Sequence, residues 1–246
     1  MNLSSEIKQE TCEIHGNYES INIFGKIWSK CPDCSKEREI KEKAEKEEKD
    51  RAEKLAAWKR KIGNSGIPER FQSRTFDNFE AKTKQQIYAL DFAKNFIDAA
   101  RKTGMSALFV GRPGTGKTHL ASAIGMEFIK NGEAVLFITA MRAIRKIKDT
   151  WSRDSEESES QAVASLVYPE LLILDEIGIQ FGSEFEKNII FDVLNERYEK
   201  RKPTIIMSNL PKDEVFAYLG DRVLDRLRED GGEYVAFDWE SHRGKK

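Results

Sequence analysis

Gly111-Arg112-Pro113-Gly114-Thr115-Gly116-Lys117-Thr118 fills every fixed position of the pattern G-x-x-x-x-G-K-[ST]. An apolar run, 105–110, precedes it, and a helix-like run opens at His119. A strand that feeds a glycine-rich turn and then a helix leaves few architectures open. The turn's backbone N–H groups converge on one point, the helix N-terminus adds partial positive charge there, and a polyphosphate is held with little reorganisation. Gly111 through Thr118, with His119 next to them, are therefore candidate nucleotide contacts. Lys117 is placed to reach the β/γ-phosphates and the Thr118 hydroxyl to ligate magnesium.

Hydrolysis needs a second acidic element. Residues 170–174 form a short apolar run ending in Asp175-Glu176, the pattern of a buried parallel strand whose C-terminal end lies at the ligand edge. Asp175 would hold Mg²⁺, and Glu176 would polarise the attacking water. An Asp-Glu pair after a strand also reads as a helix cap; the phosphate loop upstream favours the catalytic reading.

Further strand-like runs at 134–139, 204–208 and 234–239, with a helix over 84–101 and helical patterns between the runs, predict an α/β fold with a parallel sheet. The 246 residues carry 41 Lys and Arg against 42 Asp and Glu, a net charge of −1. Bulk charge therefore gives no argument for nucleic acid, and any such surface must be local. The first ten residues are polar and acidic, not a targeting segment, and no long apolar span follows, so a cytoplasmic protein without a membrane partner is expected.

The cysteines, Cys12, Cys31 and Cys34, all lie near the N-terminus. With His15 they form C-x₂-H followed by C-x₂-C, which presents four ligands for a closed, structural zinc site. One disulfide with a spare thiol and an incidental histidine is the alternative. Residues 18–28, with Ile21, Ile23 and Gly25, read as a small hairpin packed on the metal. So short a segment cannot fold without the ion. Residues 35–61 form a charged helix with favourable pairs Glu37/Lys41, Glu39/Lys43, Glu42/Lys46 and Glu45/Lys49. It serves as a solvated spacer that could also set reach. Turn chemistry at 63–68 closes it. The expected organisation is a zinc module at 1–35, a helical linker at 36–62 and an ATPase domain at 63–246.

From Gly66 onward the chain resembles the DnaC-type helicase loaders of the AAA+ superfamily, close to the IstB transposition ATPases. The marks are Gly66-Ile67-Pro68-Glu69-Arg70-Phe71, Thr75-Phe76-Asp77-Asn78-Phe79, the phosphate loop, Leu172-Ile173-Leu174-Asp175-Glu176-Ile177-Gly178, Ser208-Asn209, Gly220-Asp221-Arg222-Val223-Leu224-Asp225-Arg226-Leu227, and the ending Trp239-Glu240-Ser241-His242-Arg243. The resemblance implies an AAA+ sheet of strand order 5-1-4-3-2 and self-association into an open ring or spiral with ATP between subunits. It implies that Asn209 is sensor 1, which a polar residue at a strand's C-terminal end also suits; a turn-forming Asn before Pro211 is the alternative. It makes Arg226 the finger lent to a neighbour's γ-phosphate, with Arg222 supporting the interface. Intramolecular pairing with Asp221, Asp225 or Glu229 is the alternative. Arg243 matches sensor 2. Only three residues follow it, so a helical lid is expected to be absent or truncated.

Residues 141–153 carry an apolar stripe, Met141, Ile144, Ile147 and Trp151, ringed by Arg142, Arg145, Lys146, Lys148 and Arg153. In position the segment resembles the extra helical element of replication-initiation ATPases. It reads as a single-stranded DNA contact, Trp151 stacking on a base and Arg142, Arg145 and Lys146 meeting phosphates, or as a surface helix whose stripe is core. The acidic, Ser-rich 154–161 reads as a flexible loop. The expected function is ATP-dependent loading of a replicative hexameric helicase onto single-stranded DNA, with ATP, Mg²⁺ and Zn²⁺ as cofactors. An IstB-like ATPase assisting a transposase is the alternative. An origin-binding initiator and a non-catalytic adaptor are disfavoured, the latter by Glu176, Asn209 and Arg226.

Overall fold

The computed structural model describes residues 6–23, 27–178 and 184–242, in two compact units, Met1–Ala57 and Trp58–Lys246. In the first unit β1 (Ile7–Cys12), β2 (Gly16–Ile23) and β3 (Ile27–Trp28) form an antiparallel sheet in that order. Ile7 faces Ile21 and Cys12 faces Gly16 across β1 and β2. The hairpin expected between residues 18 and 28 corresponds to the β2–β3 pair, and its Gly25 lies outside the described residues. β1 has no counterpart in the sequence reading because its polar residues hide the alternation.

Helix α1 (Pro32–Asn64) begins inside the second cysteine knuckle, with Pro32 in the first turn, where its missing N–H costs nothing. It also runs through Gly63 and Asn64, which the sequence suggested were already turn. Thus the linker is continuous with its neighbours at both ends, and Ile62 is buried in the apolar core of the second unit. Among the described residues of α1 the i,i+4 ion pair formed is Lys41–Glu45, at 4.0 Å, and not one of the four expected pairs. Exposed pairs of this kind are worth so little that rotamer choice decides among them.

The second unit is built on a five-stranded parallel sheet of β4 (Ala107–Gly111), β5 (Val135–Thr139), β6 (Leu171–Asp175), β7 (Thr204–Ser208) and β8 (Glu233–Phe237). Its order is β5-β6-β7-β4-β8. Counted within the domain and from the other edge, this is 5-1-4-3-2. The strands β4, β6 and β7 are apolar without alternation because both faces are covered. One face packs on α2 (Lys84–Thr103) and α3 (Lys117–Lys130). The other packs on α4 (Ala140–Asp149), α5 (Glu159–Val167), α6 (Glu184–Glu199) and α7 (Lys212–Glu229).

Local chemistry explains where these helices start and stop. Thr83 and Gln86 form a capping box on α2, and Gly104 ends that helix at φ 82°. Residues 154–161 are not all loop, since Ser158 and Gln161 form a second capping box and 159–161 are the first turn of α5. Within α7, Gly220 sits at φ 71°, ψ 162°, and breaks the helix into two segments. A Cβ there would meet no atom within 4 Å, so the glycine is required by the backbone angle alone.

Arg197 is completely buried. It donates to the carbonyls of Leu166, Val167, Pro169 and Pro203 and to Thr204 Oγ1, at 2.7–3.0 Å. Burial lowers its pKa to about 9, and the five acceptors compensate for the lost hydration while tying α6 to the starts of β6 and β7.

Candidate nucleotide and metal sites

The C-terminal ends of β4, β6 and β7 open on one cleft of about 420 Å³, the position that open parallel sheets reserve for ligands. Gly114, Gly116, Lys117, Thr118, His119, Asp175, Glu176 and Asn209 all line it. Gly114 and Gly116 adopt φ of 82° and 103°, a region open to glycine at little cost. Lys117, at the start of α3, donates from Nζ to the carbonyls of Gly111 (2.5 Å) and Arg112 (3.0 Å). The Thr115 hydroxyl donates to Arg112 O at 2.8 Å. The loop's carbonyls are thereby engaged on one side, which leaves N–H groups for the other.

Asp175 is largely withdrawn from solvent. Burial raises its pKa, the neighbouring Glu176 charge adds to the rise, and a hydrogen bond from the Glu176 N–H (2.8 Å) opposes it. A carboxylate in that condition favours a cation, and with the Thr118 hydroxyl in the same cleft the pair could hold a divalent ion. Glu176 is a non-glycine residue at φ 61°, a left-handed conformation that sends its side chain away from the strand direction.

Several cleft residues were not singled out for a role from sequence. Arg70, Arg74, Asn78, Phe79 and His242 all line it. The Phe79 ring meets His119 edge-on at 5.2 Å and lies so near Gly116 that a Cβ there would come within 2.7 Å of it. His119 donates from Nε2 to Thr75 O at 2.9 Å, and burial, with the Arg74 charge adding, lowers its pKa. At neutral pH the ring is therefore uncharged, and its N–H is the donor to that carbonyl. The signal for Phe79 was the conspicuous Thr75–Phe79 segment, whose partner is 40 residues downstream and invisible to local pattern.

Arg226 is not in this cleft. It lies in a pocket with Ser106, Thr204 and Tyr198, at the N-terminal ends of β4 and β7. Its guanidinium donates to the Asn195 side-chain carbonyl and lies 4.9 Å over the Tyr198 ring. Its partners are thus on α6, not Asp221, Asp225 or Glu229. Arg222 is exposed. Arg243 lies outside the described residues.

The DNA candidates divide. Ile144 and Ile147 are core, together with Ala140 and Ala143. Met141 and Trp151 remain 37% and 46% exposed, and Trp151 lies beyond the helix end in the following turn. Its ring packs at 5.3 Å on Phe185, itself 52% exposed, and its N–H donates to Glu159 at 2.8 Å. Lys146 is paired with Glu157 at 2.7 Å, and Lys148 with Glu186 at 3.2 Å. Arg142 and Arg145 are exposed.

In the first unit the ligand atoms of Cys12, His15, Cys31 and Cys34 lie within 4.8 Å of one another. The separations from His15 Nδ1 to the three sulfurs are 3.9, 3.7 and 3.3 Å, and Cys12 and Cys34 are 3.5 Å apart. Tetrahedral bonds of about 2.1–2.3 Å require edges of about 3.4–3.8 Å, and these four separations lie close to that range. His15 Nε2 meets Glu37 Oε1 at 3.1 Å. That carboxylate fixes the ring and directs Nδ1 inward, a role sequence spacing could not assign. Hydrogen bonds from the His15 and Ile14 backbone lower the Cys12 thiol to about 6, while its neighbour Cys12 drives Cys34 up to about 11.

The IstB-like ATP binding protein family matches residues 34–246. The replicative helicase loader DnaC of Escherichia coli strain K12 is 36% identical over 196 residues, 80% of each chain. The chain belongs to the IstB/DnaC family of AAA+ ATPases. The crystal structure of the DnaC helicase loader superposes with a TM-score of 0.60 at 24% identity, covering 69% of this chain and 99% of that one. That of DnaI gives 0.58 at 19%, covering 72% and 94%. These likenesses establish the shared IstB/DnaC fold, and membership makes the chain an ATP-binding enzyme. No helix among the described residues is long and apolar enough to cross a membrane.

Proposed function

We propose that this chain is an ATP-dependent loader that places a replicative hexameric helicase on single-stranded DNA, working as an open ring or spiral. The observation that carries the reading is the 36% identity with a named replicative helicase loader across 80% of both chains. The cleft supplies the chemistry. Loop N–H groups and Lys117 bind the phosphates, Thr118 and Asp175 hold Mg²⁺, Glu176 takes the proton of the attacking water, and Asn209 orients that water. Mg²⁺ supplies neutralisation of the developing phosphate charge.

Arg226 supports the assembly reading. It sits at the far end of the strands from its own phosphate loop, so it cannot serve the nucleotide of its own chain. In trans it would neutralise the neighbour's γ-phosphate, and Arg222 would flank it at the interface. The closed Cys₃His set is a structural zinc site, with no coordination position left for chemistry. We assign the module contact with the helicase and the patch of Trp151, Phe185, Arg142 and Arg145 contact with single-stranded DNA, where aromatic faces stack bases and guanidinia track phosphates. Lys146 is left out of that contact by its Glu157 partner.

The test is affinity capture from host extract with the full chain as bait and ATP present. A replicative helicase in the eluate, lost with the Cys31→Ser/Cys34→Ser bait, is the expected result. A transposase in its place overturns the loader assignment.

A further inference from the structure

The phosphate loop is held partly from outside itself. β8 lies beside β4 with Gly111 opposite Phe237, and a Cβ on Gly111 would come within 2.3 Å of the Phe237 carbonyl. After β8 the chain turns along the loop instead of leaving it. The Trp239 ring packs on Phe237 at 5.0 Å and its indole N–H donates to the carbonyl of Thr115 at 2.9 Å. The backbone N–H of His242 donates to the carbonyl of Gly114, also at 2.9 Å.

These two carbonyls matter because of peptide geometry. In a trans peptide the C=O of one residue and the N–H of the next point in opposite directions within a single plane. Holding Gly114 O fixes the direction of the Thr115 N–H, and holding Thr115 O fixes that of the Gly116 N–H. Both amides then face away from the tail. Glycines at positive φ on either side of Thr115 leave these planes free to turn if nothing anchors them. Upstream, the carbonyls of Gly111 and Arg112 are already taken by Lys117 and the Thr115 hydroxyl. The anchors for the other two come from 124 and 128 residues away in sequence.

We propose that residues 237–242 form a strap that sets the two central peptide planes of the phosphate loop, and that Trp239 is a positioning residue for ATP. Trp239 organises the donors before the nucleotide arrives and is not itself among the residues that line the cleft. This rests on the reading of residues 111–118 as the phosphate site.

Trp239→Phe keeps an aromatic ring on Phe237 and deletes the N–H. Binding of a non-hydrolysable ATP analogue to the full chain should weaken about ten-fold, the scale of one lost hydrogen bond in a preorganised site. In turnover the KM for ATP should rise while kcat changes less than about three-fold. His242→Pro removes the second N–H together with an imidazole that lines the cleft, so it is read against His242→Ala, which keeps the N–H. Binding weaker in the proline variant than in the alanine one keeps the test open if Trp239→Phe lowers the melting temperature of the nucleotide-free chain. Analogue affinity within two-fold of the parent in both Trp239→Phe and His242→Pro overturns the strap, and so does a fall confined to kcat. Lys117→Ala separates the two claims: undiminished binding there refutes the phosphate site itself, whatever the Trp239 variant does.

Discussion

The two units of this chain are held together by different means. The ATPase unit closes on two apolar layers, with side chains such as Phe96, Phe109, Leu172 and Ile206 almost entirely buried. The first unit leaves Ile7, Ile14, Ile21 and Ile27 more than 40% exposed and gathers three sulfurs and an imidazole at its centre. One unit has enough core to order itself, and its chemistry is proposed to be finished by a neighbour. The other has little core, and its fold is proposed to be finished by an ion. A change in metal should therefore disturb one unit and spare the other, and a change at the subunit interface should do the reverse.

The largest expected effect is at the interface. Arg226→Ala should keep ATP affinity while turnover falls about a thousand-fold, and Glu176→Gln should reduce turnover on the order of a hundred-fold. Mixing the two variants is the sharper measurement. A hybrid interface carries one intact Glu176 and one intact Arg226, so ATPase activity should partly return. Co-assembled subunits without recovered turnover would mean that Arg226 does not act in trans.

Metal dependence comes next. Metal analysis of reduced protein should find about one zinc per chain and close to none in Cys31→Ser/Cys34→Ser. The thermal transition of the ATPase unit should stay in place in that variant. If the ATPase unit melts with the metal, the proposed independence of the two units is wrong.

The smallest effect separates the proposed partners. Arg145→Ala should weaken single-stranded DNA binding roughly five-fold, the scale of about 1 kcal/mol for one exposed phosphate contact, and should flatten the salt dependence by about 0.7 in the log–log slope. Zinc removal should leave that affinity alone. DNA binding that follows the zinc content and ignores Arg145 would move the contact to the other unit.

Sequence alone was enough where the information is local. Residues 111–118 and 171–176 are contiguous, and the chemistry of each run shows in its own order. The sheet order came with the family resemblance, not with periodicity. What stayed hidden is long-range. Glu37 looks like half of a helix ion pair with Lys41, and nothing nearby says that it meets His15. Phe79 approaches Gly116, and Trp239 reaches Thr115, only because the parallel sheet brings distant connections to one edge. The capping box Ser158/Gln161 is a different case. It was present in the letters, but the acidic, Ser-rich composition of 154–161 outweighed it. Arg226 shows the converse limit, since its motif was readable while its resting contacts with Asn195 and Tyr198 depend on how α6 packs beside α7.

Gly220 gives the proposed finger its aim, and it does so through handedness. At φ 71°, ψ 162°, in open space, its backbone is close to the mirror image of an extended conformation natural to L-residues. A D-alanine would be less strained there than an L-alanine, although both carry the same methyl group. Of the twenty encoded residues, the achiral one alone takes that turn at little cost, so the direction in which residues 221–229 point is written into this protein as the absence of a stereocentre.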